Sequence, residues 1–248
     1  MKKLTKTSTK YEFIDKCVYF PKNKILAIGD MHLGHEFTLR QPGSNIPATQ
    51  INETKKDLKK VFKFLKKEKK EVKKVIFLGD IKHFFAYKRA ETNLILEILE
   101  LVGKYVKKED IILIRGNHEK IAEIADKKLV NYYIDNNLAF IHGDDYFSEI
   151  SNKKIKTIVM GHLHPAITIS DSQKVKSEKY KCFLTGKYRS KEFIILPSFI
   201  PSVEGVSVNV YMSDSHCIIP IRNLMNFEVH AIGKKEVLNF GNLKNLIK

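Results

Sequence analysis

The stretch DIILIRGNHE, residues 110–119, joins an apolar run directly to a polar turn. Ile111 to Ile114 read as a buried strand, and Arg115, Gly116, Asn117, His118 and Glu119 follow without a transition. Four other runs end in the same manner: ILAIGDMH (25–32), VIFLGDIKH (75–83), LAFIHGD (138–144) and TIVMGHLH (157–164). Each ending sets a glycine beside a carboxylate, an amide or an imidazole. Five such endings in one chain imply that the strand ends meet.

The segments between them support this. Residues 11–20 and 24–29 predict two strands around Pro21, Lys22 and Asn23. The polar segment 33–50 reads as a long loop, which more often carries function than padding. A helix begins near Thr49 or Asn52, with Leu58, Val61, Phe62 and Leu65 on one face and lysines on the other. A second helix is predicted over 90–106. The first half thus alternates strand, helix, strand, helix, strand, the pattern of parallel crossovers. In such sheets ligands bind beyond the carboxyl ends of the strands, where Asp30, Asp80 and Asn117 lie.

Past Glu119 the reading is a short helical segment, strands near 130–135 and 138–142, and a short helix over 146–154. Strands follow at 157–160, 166–169, 180–186, 192–196, 206–211, 217–221 and 227–232. The expected architecture is α/β, two facing sheets with helices outside, in one domain over 1–248. Residues 25–165 carry the motifs, 166–232 complete the second sheet, and 233–248 form a loosely held tail.

With 248 residues and 43% hydrophobic content the chain can bury a full core, and it is not a disordered chain. No apolar stretch has the length of a membrane span, and the basic N-terminus lacks the apolar core of a secretory signal. Cys17, Cys182 and Cys217 are too scattered for a metal-binding pair and suit a reducing cytoplasm. The net charge of +16 favours acidic partners such as nucleic acid or phosphorylated substrates. Nearly all of it is lysine, so a solvated surface accounts for it equally well, and no stacking platform for single strands is visible.

The residues at the strand ends, Asp30, His32, Asp80, Asn117, His118, His142, His162 and His164, are oxygen and imidazole donors only. Without thiolates they do not make a structural zinc site. They suit manganese, iron, cobalt, nickel or catalytic zinc. Two cations about 3.5–4 Å apart, sharing one carboxylate, can activate water and stabilise displacement at phosphorus.

GDMH (29–32), GDIKH (79–83), GNHE (116–119), HGD (142–144) and GHLHP (161–165) resemble, in order and spacing, the five signature blocks of the calcineurin-like metallophosphoesterase superfamily. DMHLGHE and GDIKH are similar to the small SbcD-related and DNA-ligase-associated phosphoesterases, and LPSFIPSVEGVSVN (196–209) follows the last block as in that group. The resemblance implies a four-layer αββα sandwich, two mixed sheets flanked by helices. It implies that Asp30, His32 and His164 bind one metal, that Asn117, His142 and His162 bind a second, and that Asp80 bridges. His118 would protonate the leaving oxygen after attack by a metal-bridging hydroxide. Manganese is the favoured ion. His83, where other members often carry an acid, His35 and Arg115 are candidate substrate contacts, and Glu36 would line the entrance with His35. His216 and His230 read as ordinary fold residues.

The expected activity is a phosphodiesterase acting on a small phosphodiester or a nucleic-acid end. Only 83 residues follow Pro165, too few for the second sheet and a large DNA-binding cap together. The alternatives are a phosphomonoesterase on nucleotides or phosphoproteins, or a non-catalytic scaffold of the same fold. A homodimer is left open.

Overall fold

The computed structural model describes residues 10–39, 49–83, 89–119, 122–171, 176–201, 203–210, 217–234 and 236–247. Strands β1 (Glu12–Ile14), β2 (Cys17–Phe20) and β3 (Ile25–Ile28) form an antiparallel meander. Helices α1 (His35–Leu39) and α2 (Gln50–Lys67), strand β4 (Lys74–Phe77), helix α3 (Arg89–Val102) and strand β5 (Ile111–Ile114) follow. Next come β6 (Glu123–Ile124), β7 (Lys127–Val130), β8 (Tyr132–Asp135), β9 (Leu138–Ile141) and β10 (Thr157–Met160). The rest is β11 (Pro165–Ser170), β12 (Ser177–Tyr188), β13 (Lys191–Ile195), β14 (Val206–Ser207), α4 (Ile221–Leu224), β15 (Glu228–Ile232) and β16 (Val237–Asn242).

The strands make two mixed sheets. The first has the order β1-β2-β3-β4-β5-β7-β6, with β3, β4, β5 and β7 parallel. The second runs β14-β11-β12-β13-β10-β9-β8, with β15 joined to β12 and β16 to β15. In it β9, β10 and β13 are parallel. All five apolar runs are therefore strands: β3, β4 and β5 lie side by side in one sheet, β9 and β10 in the other.

Alternation along the strands separates the layers. Phe13, Val18, Phe20, Ile25, Ala27, Ile76 and Ile114 of the first sheet pack against Phe140, Val159, Phe183 and Ile194 of the second. The Phe13 and Phe183 rings stack across this gap, centroids 4.0 Å apart. On the outer face of the first sheet, Leu26, Ile28, Val75 and Phe77 meet Leu58, Val61, Phe62 and Leu65 of α2 and Ile95, Ile98 and Val102 of α3. The fourth layer is thinner. Ile150, Leu224 and Leu243, from short helical turns, cover Ile141, Ile158 and Phe193.

Several boundaries differ from the sequence reading. Residues 11–20 are two strands, because Asp15 turns the chain at φ +55°. The segment before β8 is the β6–β7 hairpin rather than a helix, turned by Ala125 and Asp126 at φ +50° and +58°. Part of the predicted loop, 35–39, is α1, while its residues 40–48 lie outside the described residues. Ile221 starts α4, with Pro220 before it at φ −58°, instead of ending a strand. Strand β14 is two residues long, and residues 211–216, His216 included, lie outside the described residues. The C-terminal segment is not a loose tail: Val237–Asn242 pair with β15, and Leu243 is fully buried. Cys17 and Cys182 are buried free thiols, and Cys217 is a half-buried one. No helix among the described residues is long and apolar enough to cross a membrane.

Candidate metal centre

The loops that leave β3 and β4 stay zipped together past the strands. The N–H groups of Met31 and His32 both donate to the Asp80 carbonyl, at 3.1 and 2.8 Å. Leu33 N–H donates to Ile81 O, and His83 N–H donates back to Leu33 O. This brings Asp30 and His32 beside Asp80. In the second sheet Gly161 N–H donates to His142 O at 3.0 Å, linking the ends of β9 and β10.

Two glycines make room for the carboxylates. A Cβ on Gly116 would stand 2.2 Å from Asp80 Oδ1, and one on Gly161 would stand 2.2 Å from Asp30 Oδ2. The side chains between them are aimed by unusual backbone. His32, Asp80, His162 and His164 hold φ at +40°, +44°, +68° and +44°. Such values are uncommon for residues with a Cβ and cluster at functional sites.

The predicted residues converge. Asp30, His32 and His164 present donor atoms all within 4.8 Å of one another, as do Asp30, Asp80 and His142. His164 Nε2 lies 3.4 Å from Asp30 Oδ1 and 3.3 Å from His32 Nε2. His142 Nε2 lies 3.1 Å from Asn117 Oδ1, 3.1 Å from His162 Nδ1 and 3.5 Å from Asp80 Oδ2. Asp80 Oδ2 is also 3.6 Å from His32 Nε2, so this carboxylate stands between the two groups. His118 sits at the rim. Its Nδ1–H donates to the His83 carbonyl, its N–H donates to Asp80 Oδ1 at 2.9 Å, and its Nε2 faces Asp80 Oδ2 at 3.8 Å.

These donors fit divalent cations. His142 donates Nδ1–H to Leu78 O at 2.9 Å, so Nε2 is the atom turned toward an amide oxygen, a ring nitrogen and a carboxylate. Burial lowers the pKa of this ring, but Asp30 and Asp80 outweigh burial and raise it, so a cation there would take the place of a proton. Acceptors converging on acceptors are what a cation resolves. Burial, with His164 second, pulls His32 down to about 2; burial and then His142 lower His162. Both rings are therefore neutral and ligand-ready at neutral pH. Burial opposes ionisation of Asp30, but His164, His142 and His32 outweigh it and hold the carboxyl below its usual range. Burial pushes Asp80 up against the pull of His142.

Two stretches quoted from the sequence take supporting roles that it did not assign. Glu119 is buried and accepts the N–H groups of Gly116, Asp80 and Lys82 at 2.8, 2.9 and 3.1 Å, tying the β4 and β5 turns together. Its position in GNHE was the only signal. The second support is a strap, residues 196–200, behind Asp30. Phe199 N–H donates to Asp30 O at 2.7 Å. Lys16 Nζ donates to Phe199 O at 3.0 Å, and Lys181 Nζ donates to Ser198 O at 2.8 Å and to Ile200 O.

The outer candidates divide. The His83 ring lies 5.5 Å from that of His32, 5.6 Å from that of His118 and 4.8 Å from that of His35, so His83 adjoins the approach to His118 and His35 lies next beyond it. Glu36 does not line it. It is buried, and its Oε2 accepts Gln50 N–H at 3.1 Å, fixing the start of α2. Arg115 makes no ion pair among the described residues, and its Nε is buried without a hydrogen-bond partner. His230 is buried against Thr185 Oγ1 at 2.8 Å, away from this edge, as an ordinary fold residue.

A double sheet with donors of this kind at one edge defines a class, the metallophosphoesterase fold. The sequence model for the calcineurin-like phosphoesterase matches residues 23–209, and the chain belongs to that family, whose members hydrolyse phosphate esters with paired metals. Among solved structures, the nuclease MPE of Pseudomonas putida superposes with a TM-score of 0.60 at 18% identity, over 93% of this chain and 94% of that one. Vps29 of Entamoeba histolytica, complexed with zinc, gives 0.34 at 11% identity, over 87% and 96%. A predicted phosphoesterase of Streptococcus pneumoniae TIGR4 gives 0.33 at 12%, over 87% and 95%. The first likeness shows a shared fold. No curated protein sequence matches the chain.

Gly161→Ala drives a methyl group into Asp30 Oδ2. Calorimetric titration with Mn²⁺ is expected to show affinity reduced about tenfold or more. Circular dichroism in chelator should show the fold retained; unchanged affinity contradicts the packing argument.

Burial, with Lys16 second, pulls Lys181 down to about 7. A lysine pKa lowered by folding means that the unfolded chain binds more protons between the two values. This group therefore costs stability at and below pH 7, and the cost is relieved as pH rises toward the unfolded value near 10.5. Urea unfolding at pH 6.5 and 9.5 is expected to show a smaller rise in stability for Lys181→Met than for the parent. An equal rise in both proteins rejects the assignment.

Proposed function

We propose that the protein is a phosphodiesterase dependent on two divalent cations, manganese favoured, acting on phosphodiesters of nucleotides or nucleic acid. The observation that carries the metal-dependent part is the pair of donor groups meeting at Asp80. Asp30, His32 and His164 would hold one ion and Asn117, His142 and His162 the other, with Asp80 shared. When bound, such ions supply Lewis acidity to a phosphate ester and acidify water.

The chain's own residues do the rest. Asn117 brings an oxygen without a charge, so the centre stays electrophilic. The His83 carbonyl fixes the His118 ring through Nδ1 and leaves Nε2 facing the centre. Protonated at Nε2, His118 delivers that proton to the leaving oxygen as a general acid. The His83 ring adjoins the approach to that atom, with His35 next beyond it.

The preference for a diester rests on the +16 net charge, which favours a polyanionic substrate. The fold shared with a protein described as a nuclease accords with it. A cytoplasmic location belongs to the same reading, supported by the free cysteines.

Manganese-loaded protein assayed on an aryl phosphodiester and the matching monoester is expected to show the higher kcat/KM on the diester; faster monoester turnover reverses the preference. In the same assay His118→Ala should retain metal while turnover falls about a hundredfold to ten-thousandfold. Parallel loss of metal would remove His118 from the role of acid.

A further inference from the structure

Helix α2 starts at the metal centre. Gln50, its first residue, donates Nε2–H to His32 O at 3.0 Å and accepts Gly34 N–H at 3.2 Å. From there it runs for 18 residues along the outer face of the first sheet with seven lysines and two acids. Lys55 pairs with Glu97 of α3, and Lys60 pairs with Asp57. Lys56, Lys59, Lys63 and Lys66 are exposed and have no ion-pair partner among the described residues. At 3.6 residues per turn these four fall within an arc of about 80° and span about 15 Å of helix.

A uniform excess of lysine would not produce this stripe. Helix α3 lies in the same layer, carries no lysine, and has three glutamates, Glu91, Glu97 and Glu100. The charge is thus sorted between neighbouring helices, with the cationic one rooted at the metal centre. A nucleic-acid strand carries one negative charge per nucleotide, so about 15 Å of helix with four unpaired lysines can face several successive phosphates.

We propose that the exposed lysine face of α2 is a docking surface for the backbone of a nucleic-acid strand, which it leads toward the metal centre. This rests on the phosphodiesterase reading and deepens it to a polynucleotide substrate. Contacts of this kind position a strand without reading its sequence. Charge complementarity also admits an acidic polypeptide, but a centre built for phosphate esters favours a ligand with phosphates at regular intervals.

The test compares Lys56/Lys59/Lys63/Lys66→Gln with a control of equal charge, Lys128/Lys153/Lys154/Lys156→Gln, which removes four exposed lysines elsewhere. Binding of a fluorescent single-stranded oligonucleotide is followed across salt concentrations in chelator, and aryl phosphodiester hydrolysis is measured in parallel. For the α2 variant, affinity at low salt should fall at least about tenfold, and the slope of log K against log salt should flatten by about 3, or about 0.7 per lost phosphate contact. The control should keep most of its slope, and both variants should hydrolyse the small diester at the parent rate. Equal losses in the two variants, or no loss in either, overturn the docking surface while leaving the phosphodiesterase reading in place. Equal binding of polyglutamate by the parent overturns the commitment to nucleic acid. Absence of small-diester hydrolysis in the parent identifies failure of the underlying reading instead.

Discussion

Two carboxylates, five imidazoles and one amide crowd the gap between the carboxyl ends of two sheets, and this crowding constrains everything around it. Left alone, such a set repels itself and resists desolvation. Strained backbone brings it together: His32, Asp80, His162 and His164 all sit at positive φ, each at a cost on the order of 1–3 kcal/mol. The strands behind them absorb that cost. β3, β4, β5, β9 and β10 are buried along nearly their whole lengths, so the turns beyond them have little freedom to relax.

Charge buried one step further out completes the arrangement. The Glu119 carboxylate gathers three N–H groups from two turns, and Lys82, itself buried, donates Nζ–H to the His118 carbonyl at 2.8 Å. Lys16 and Lys181 bind three successive carbonyls of the strap behind Asp30. None of these four residues points a donor at the place where phosphate would react. They fix the turns that do, which is how outer partners tune a metal site.

The sequence made the strands and their endings legible because each apolar run stops abruptly at a glycine and a donor. The grouping of Asp30 with His164 and of His142 with Asn117 came from the resemblance to the calcineurin-like family, because the residues alone gave one undivided set of donors. Other features left no local mark. The turn at Asp15 and Lys16 interrupts what looks like one strand, and Lys16 is buried only because Asp57 and the Phe199 carbonyl receive it. The β6–β7 hairpin is held by pairing with β5, and β16 by folding back on β15, so their own composition did not announce them. Glu36 looked like an entrance residue because its partner, the N–H of Gln50, is visible only once α1 and α2 meet.

The centre also joins the two halves of the fold. Asp30, His32, Asp80 and Asn117 come from the first sheet, and His142, His162 and His164 from the second. Neither half holds a complete set, since Asp30 finds His164 and His142 only across the gap. His162 N–H also donates to Asp30 Oδ2 at 3.0 Å, so even the backbone of one sheet reads the carboxylate of the other. A cation bound there would be bound only by the assembled pair of sheets, and by mass action it would stabilise their packing. The converse holds as well. The Phe13–Phe183 stack and its neighbours set the spacing of the sheets, and the spacing sets the donor distances. Displacements of about 1 Å are enough to spoil a reacting geometry, so the apolar layer between the sheets is as much a determinant of this centre as the residues that line it.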